Sequence, residues 1–354
     1  MFNLKLIKGS YLNDCEFLLK DLTGIIKEIS VKEKEEYIKQ GISYSNFISK
    51  EENPDSDIEK LFFEMISEYG DEIAKYVGVL AEHIYKVKSE NLVIVSLARA
   101  GTPYGILIKR YLKFKYDIDI KHYSVSIIRG IGIDLNAMKY ILDKNKNGNI
   151  QFVDGWTGKG SITTELQRSI SMFNEMYKVN IDPSLAVIAD PAKLCEVYGT
   201  RDDIAVANSV LNSTVSGLIS RTILNDKYIG KDDFHGAINI NYLEDKDYSQ
   251  MYIDKISSRF SNDVKVGKLE SIDLDYANNI VSDIKEIYGT HDINKIKLSI
   301  GEASRVLLRR KAKVILLKDK NDKSVKQLVM LAEQKGVRIE EYKNSEYKAI
   351  AIIE

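Results

Sequence analysis

Asp154, Thr157, Gly158, Lys159, Gly160 and Ser161 lie in one short stretch, and their types suit the binding of a phosphorylated ligand. The glycines free the backbone for close approach. Hydroxyls at Thr157 and Ser161 would then join the amides of a helix N-terminus, where peptide dipoles favour an anion. Asp154 is placed to meet ligand hydroxyls, and Lys159 adds a cation. To position them, residues 150–153 must form a buried strand. Ile162, Leu166, Ile170 and Phe173, at helical spacing, must form the inner face of the helix that follows. A Walker loop is excluded because Gly155 stands too close to Gly158-Lys159 and no Ser or Thr directly follows the lysine; the GxGxxG pattern also fails. The alternative is a tight strand-to-helix turn carrying an exposed aspartate.

Two further strand ends share this design. Residues 92–98 read as a strand running into Arg99, Ala100, Gly101 and Thr102, then a helix carrying Ile106, Leu107, Ile108 and Leu112. A second anion could sit on that turn with Arg99 as donor. Residues 122–128 end in Arg129, which the adjacent Gly130 and Gly132 leave free to swing over a polyphosphate. After a strand at 184–189, Asn212, Ser213, Thr214 and Arg221 read as a polar pocket or as a capped helix with a hydroxyl face. His235 is a further polar candidate, with a structural role as its alternative.

The chain has 354 residues and a formal net charge of −1, so as a whole it does not coat a polyanion. No apolar run reaches the roughly 18 residues a membrane span needs, and the N-terminal stretch carries no sustained apolar segment, which predicts a soluble, unexported, cytoplasmic chain with no membrane partner. Cys15 and Cys195 are too few for a disulfide framework. Residues 14–90 read mainly as helix, with Asp14 capping a segment that carries Phe17, Leu18 and Leu22. They form a helical cover over an α/β core and hood at 91–260. A linker at 261–275 leads to residues 276–354, which alternate helix and strand as a small α/β sandwich. There Lys295, Lys297, Arg305, Arg309, Arg310, Lys311 and Lys313 gather positive charge around Gly301-Glu302-Ala303. That cluster suits an RNA backbone, or else forms the solvated face of a docking domain.

The strand, Asp154 and Thr157-Gly158 through Ser161 resemble the ribose 5-phosphate signature of the type I phosphoribosyltransferases, with Gly155 where that family usually has a second acid. Taken in order, HYSVSIIRGIGID (122–134), FVDGWTGKGSITTEL (152–166), GTRDDI (199–204), LNSTVSGLISRTIL (211–224) and DFHGA (233–237) narrow the likeness. They look like the StiP family, predicted phosphoribosyltransferases of bacterial stress and tellurite-resistance gene clusters once labelled cysteine proteases. SIGEASRVLLRRKAKVILLKDKND (299–322) resembles the Pelota-type RNA-binding domain.

The resemblance implies an α/β fold: a type I phosphoribosyltransferase-like parallel sheet with a helical N-terminal cover, plus a small C-terminal α/β sandwich of Pelota type. It implies phosphoribosyl transfer from 5-phosphoribosyl 1-diphosphate to a nitrogenous acceptor, with Mg2+ carried on the substrate and no protein cage for it. Asp154 and Arg129 would be catalytic, and Thr157, Gly158, Lys159, Gly160 and Ser161 would hold the 5-phosphate. Arg99, Ala100, Gly101 and Thr102 would take pyrophosphate; Asn212, Ser213, Thr214, Arg221 and His235 would line the acceptor pocket. Arg305, Arg309, Arg310 and Lys311 would contact RNA, and a homodimer is compatible with the whole. Two rivals stand beside this reading. One is a non-catalytic nucleotide- or RNA-binding regulator. The other is a cysteine protease pairing Cys195 with His235, since Cys15 reads as the buried start of an apolar helix.

Overall fold

Short apolar runs bounded by glycine and polar turns alternate here with amphipathic segments, which is the pattern of a parallel sheet covered on both faces. A computed structural model describes residues 5–11, 13–290 and 292–354. The side chains of Val31, Glu35 and Arg309 lie outside the description, as does the start of the N-terminal stretch read as unexported. In chain order, β1 (Glu16–Leu18), β2 (Lys20–Asp21), α1 (Val31–Lys39) and α2 (Ser56–Lys88) precede β3 (Leu92–Ala98), α3 (Gly101–Tyr116), β4 (Lys121–Ile128) and β5 (Gly132–Ile133). Then follow α4 (Leu135–Lys144), β6 (Asn149–Trp156), α5 (Ser161–Tyr177), β7 (Leu185–Ala189), β8 (Val197–Thr200), α6 (Ala207–Val210), β9 (Gly236–Ala237) and α7 (Ser249–Ser257). The main sheet has the order β1-β4-β3-β6-β7-β8, parallel throughout, with β5 added antiparallel to β4.

One face of this sheet packs Ile94, Val153 and Ile188 against α2 and α3 through Val77, Leu80, Ile84, Leu107 and Tyr111. The other packs Val95, Phe152 and Val187 against α4 and α5 through Met138, Ile141, Leu166, Ile170 and Phe173. The expected helix over residues 14–22 is corrected here. Phe17 and Leu19 enter one core and Leu18 the other, which is the period of a strand, and Glu16–Leu18 pairs with β4 at the sheet edge. The helical cover is therefore α1 and the long α2, which Asp55 caps through the amides of Asp57 and Ile58.

The C-terminal domain is built from α8 (Tyr276–Tyr288), β10 (Ile296–Leu298), α9 (Ile300–Arg309), β11 (Ala312–Leu317), α10 (Lys326–Gln334), β12 (Arg338–Glu341) and β13 (Ala349–Ile353). Its sheet runs β10-β13-β11-β12, with only β11 and β12 parallel. α8 covers one face through Ile280, Val281 and Ile284. On the other face, Ile300, Ala303 and Leu307 of α9 share a continuous core with Ala207, Val210 and Leu211 of the first domain. Among the described residues no helix is long and apolar enough to cross a membrane.

Candidate functional site

β6 carries Asp154 to the carboxyl end of the sheet, and the chain turns through Thr157–Gly160 into α5, with Gly160 at φ +83° where a side chain would be strained. Gly101 brings the start of α3 against this turn: a Cβ there would lie 2.4 Å from the Val153 carbonyl oxygen. Gly155 has a steric reason too. A side chain at that position would begin 3.1 Å from the buried Tyr104 ring, so a second acid beside Asp154 does not fit without moving it. The turn opens into a cavity of about 250 Å³ lined by Asp154, Lys159, Ser161, Arg129, Lys297 and Arg305.

Its second wall belongs to the C-terminal domain. Lys159 Nζ donates to the carbonyls of Ile293 and Ile296, the latter at 2.9 Å, and Tyr347 Oη donates to the Gly158 carbonyl at 2.7 Å. Arg305 lies over the Trp156 ring at 4.6 Å and donates to the Asn208 carbonyl at 3.0 and 3.2 Å. Arg129 donates to Asn294 Oδ1 at 3.2 Å. Thr157 is spoken for: its hydroxyl donates to the buried Asp190 carboxylate, which also receives Arg201. Burial, with the positive charges of Lys297 and Arg129, brings Lys159 down to about 8, so it stays cationic at neutral pH.

Burial pushes Asp154 up to about 7, against the Gly155 amide donating to it at 2.8 Å and the more distant charge of Arg305. A carboxyl whose folded pKa is raised costs stability as pH climbs from about 4 to about 7, because the unfolded chain releases that proton first. Asp154→Asn keeps an acceptor for Gly155 and removes the ionisation. The variant is expected to melt above wild type at pH 8, with the gap closing below pH 4; calorimetry that finds it lower at pH 8 contradicts this.

The residues grouped from sequence divide between two places. Ala100, Asp154, Arg129, residues 157–161 and Arg305 share the first cavity. Arg99, Asn212, Ser213, Thr214 and Arg221 line a second, of about 560 Å³, with residues 48–55. Thr102 faces neither; it is fully buried with its Oγ1 2.8 Å from Ser124 Oγ. His235 is also corrected out of the pocket: it is buried, its Nδ1 is 2.8 Å from Ser126 Oγ, and Asp134 accepts its backbone N–H at 2.5 Å. Arg310 and Lys311 are exposed away from the cavity, with Lys311 paired to Glu354 at 2.8 Å. The Arg309 side chain lies outside the described residues. Trp156, Glu302 and Lys297 join the site without having been assigned to it from sequence.

The thiols do not form the rival pairing of Cys195 with His235. Cys195 is buried, its amide donates to Asp190 Oδ2 at 2.7 Å, and among the described residues no hydrogen bond joins its Sγ to an imidazole. Cys15, just before β1, has its Sγ 3.9 Å from His122 Nε2. The same nitrogen is 2.8 Å from Ser96 Oγ, and His122 Nδ1 is 3.2 Å from the Asp14 carbonyl oxygen. Burial raises the Cys15 thiol well above its ordinary value and lowers His122 to about 3, so both are neutral at pH 7. Among the described residues no three His, Cys, Asp or Glu side chains are grouped to hold a metal ion.

Comparison with known proteins bears on these sites. A family described as "Tellurite-like stress resistance cysteine protease StiP" matches residues 9–257, and one described as "PELOTA RNA binding domain" matches residues 276–354. The chain is 32% identical over 364 residues to the "Cysteine protease StiP" of Acinetobacter baylyi, covering 98% of this chain and 94% of that protein. These names overturn the expected phosphoribosyl transfer, and with it 5-phosphoribosyl 1-diphosphate and a nitrogenous acceptor as partners. That expectation rests on the glycine turn together with the ordered motifs around it, and a turn suited to an anion does not specify a reaction.

Proposed function

The chain belongs to the StiP family, and from that membership we propose that it hydrolyses peptide bonds through a thiol, with Cys15 as nucleophile and His122 as the base. The observation that carries this is the 3.9 Å approach of Sγ to Nε2. If Nδ1–H donates to the Asp14 carbonyl and the Ser96 hydroxyl turns to the Tyr123 carbonyl at 3.3 Å instead of to Nε2, then Nε2 has its lone pair open to the thiol proton. The sulfur would attack the peptide carbonyl as Nε2 takes the thiol proton, and the imidazolium would pass that proton to the leaving amine as the C–N bond breaks. Water would then cleave the thioester. Because the resting pair is neutral, the proton moves with the attack rather than before it. A free thiol accords with a reducing, cytoplasmic setting. The test is hydrolysis of a fluorogenic casein by the full chain before and after iodoacetamide treatment, with the alkylated residue mapped. Activity that survives alkylation of Cys15 removes the proposal.

A second reading rests on a different observation. Lys159, Lys297, Arg129 and Arg305 converge where the glycine turn meets α9 and β10, in a domain that matches an RNA-binding family. We infer that RNA phosphates enter this cavity, with the Ser161 hydroxyl and the amides of the turn before α5 as donors. Lys297→Glu and Lys159→Glu are each expected to weaken RNA binding at all sequences and to lower the salt slope by about 1. An unchanged slope in a filter-binding titration contradicts it. The partition into 1–260, 261–275 and 276–354 belongs to the same reading, and the phosphoribosyltransferase likeness is kept as one of architecture alone.

A further inference from the structure

The second cavity holds a carboxylate of the chain itself. Residues 50–54, between the bridge at Ser49 and the Asp55 cap of α2, run without regular structure along its mouth. They insert Glu51, whose side chain is 17% exposed, against Arg99. One Glu51 oxygen receives Arg99 Nη1. The other accepts the Ser213 hydroxyl at 2.7 Å and lies 3.4 Å from the Ser213 amide nitrogen. Arg99 is steadied by the Ile219 carbonyl at 3.2 Å. Beside it, Arg221 donates to the carbonyls of Tyr44 at 2.5 Å and Phe47 at 2.8 Å, between the rings of those residues. Its Nε is buried with no hydrogen-bond partner. Burial, and after it the neighbouring charge of Arg99, lowers the Arg221 guanidinium to about 10.

Two guanidiniums fixed by backbone carbonyls, with one carboxylate between the strap and the Ser213 turn, make a preorganised oxyanion site. The cavity continues past the carboxylate along Leu211, Leu243, Leu308 and Leu331, so it has room for more than a glutamate side chain. We propose that this is a binding site for a carboxylate joined to an apolar body, and that Glu51 fills it as an internal pseudo-ligand until such a molecule displaces the strap. The site is separate from Cys15 and from the glycine turn, so the inference stands without either functional reading. Its ligand could be the C-terminal residue of a peptide or a small free acid; the chemistry is the same.

The test is calorimetric titration of the full chain as wild type, Glu51→Ala, Glu51→Gln and the Glu51→Ala/Arg99→Ala double variant. The probes are N-acetylleucine, N-acetylleucinamide, acetyl-Ala-Ala-Leu and inorganic phosphate. Emptying the site should let Glu51→Ala bind N-acetylleucine at least 10-fold more tightly than wild type, with the amide silent and the double variant silent. Glu51→Gln keeps an acceptor for Ser213 but loses the charge; it should show a smaller gain and serves if the alanine variant does not fold. Tighter binding of the tripeptide assigns a peptide C-terminus, and equal binding a small acid. Equal affinity in wild type and both Glu51 variants, binding of the amide, or phosphate matching N-acetylleucine would each overturn the proposal.

Discussion

Cys15→Ala should lower peptide hydrolysis by about 10³-fold or more, whereas Cys195→Ala should leave kcat/KM within about 3-fold. The first removes the sulfur that lies 3.9 Å from His122 Nε2; the second alters a thiol packed in the core whose amide is held by Asp190. The pH profile separates this mechanism from one using a preformed thiolate. An ion pair of thiolate and imidazolium gives a bell bounded by the two ionisations. Here burial holds the thiol up and the imidazole near 3, so neither titrates between pH 5 and 8. The rate is expected to be flat over that range and to rise in alkali as the thiol ionises. Gly105→Ala is a second handle: its Cβ would begin 2.3 Å from His122 Nε2, displacing the base without touching the nucleophile. A bell centred near neutrality, or full activity in Cys15→Ala, would remove Cys15 from the chemistry.

The pair was hidden in the sequence for a definite reason. Cys15 and His122 are separated by 107 positions and meet only because β1 joins the sheet edge beside β4, with Glu16 opposite Tyr123. A three-residue edge strand has too few alternations to be told from the start of a helix. The opposite holds for Asn149–Trp156 and the turn after it. A continuous buried run, glycines and a helical apolar period lie side by side in sequence, so strand, turn and helix were legible in order. Local pattern could show that the turn suits an anion but not what covers it. Lys297 and Trp156 become neighbours of one cavity only through docking of the second domain. The split of Arg99 and Arg221 away from Asp154 is likewise tertiary, set by Glu51 arriving from the loop before α2.

That docking hangs on Asp203. Its carboxylate is buried between the domains and accepts the Ile300 amide at 3.0 Å on both oxygens and the Lys348 amide at 3.0 Å. The Ile300 amide is at the N-terminus of α9, where the helix leaves N–H groups unpaired and favours negative charge. Asp203→Ala leaves these buried donors without an acceptor, at about 1–3 kcal/mol each. The expected result is a loosened C-terminal domain, read as faster proteolysis within residues 258–275 and a separate, earlier melting step. Burial raises Asp203 to about 7, so in wild type the carboxyl weakens folding as pH rises from about 4 to about 7. The variant should lose that slope even as it loses stability. Asp202→Asn is the control: it keeps an oxygen for the Asp203 amide, which donates to Asp202 Oδ1 at 3.0 Å, discharges the more exposed 2.9 Å pair with Lys348, and should change stability by less than about 1 kcal/mol. Since Tyr347 and Lys159 tie the same domain to the glycine turn, Asp203→Ala should also weaken RNA binding while Cys15 hydrolysis, at the amino ends of the strands, continues. Loss of both activities together would place the two sites under one conformational control.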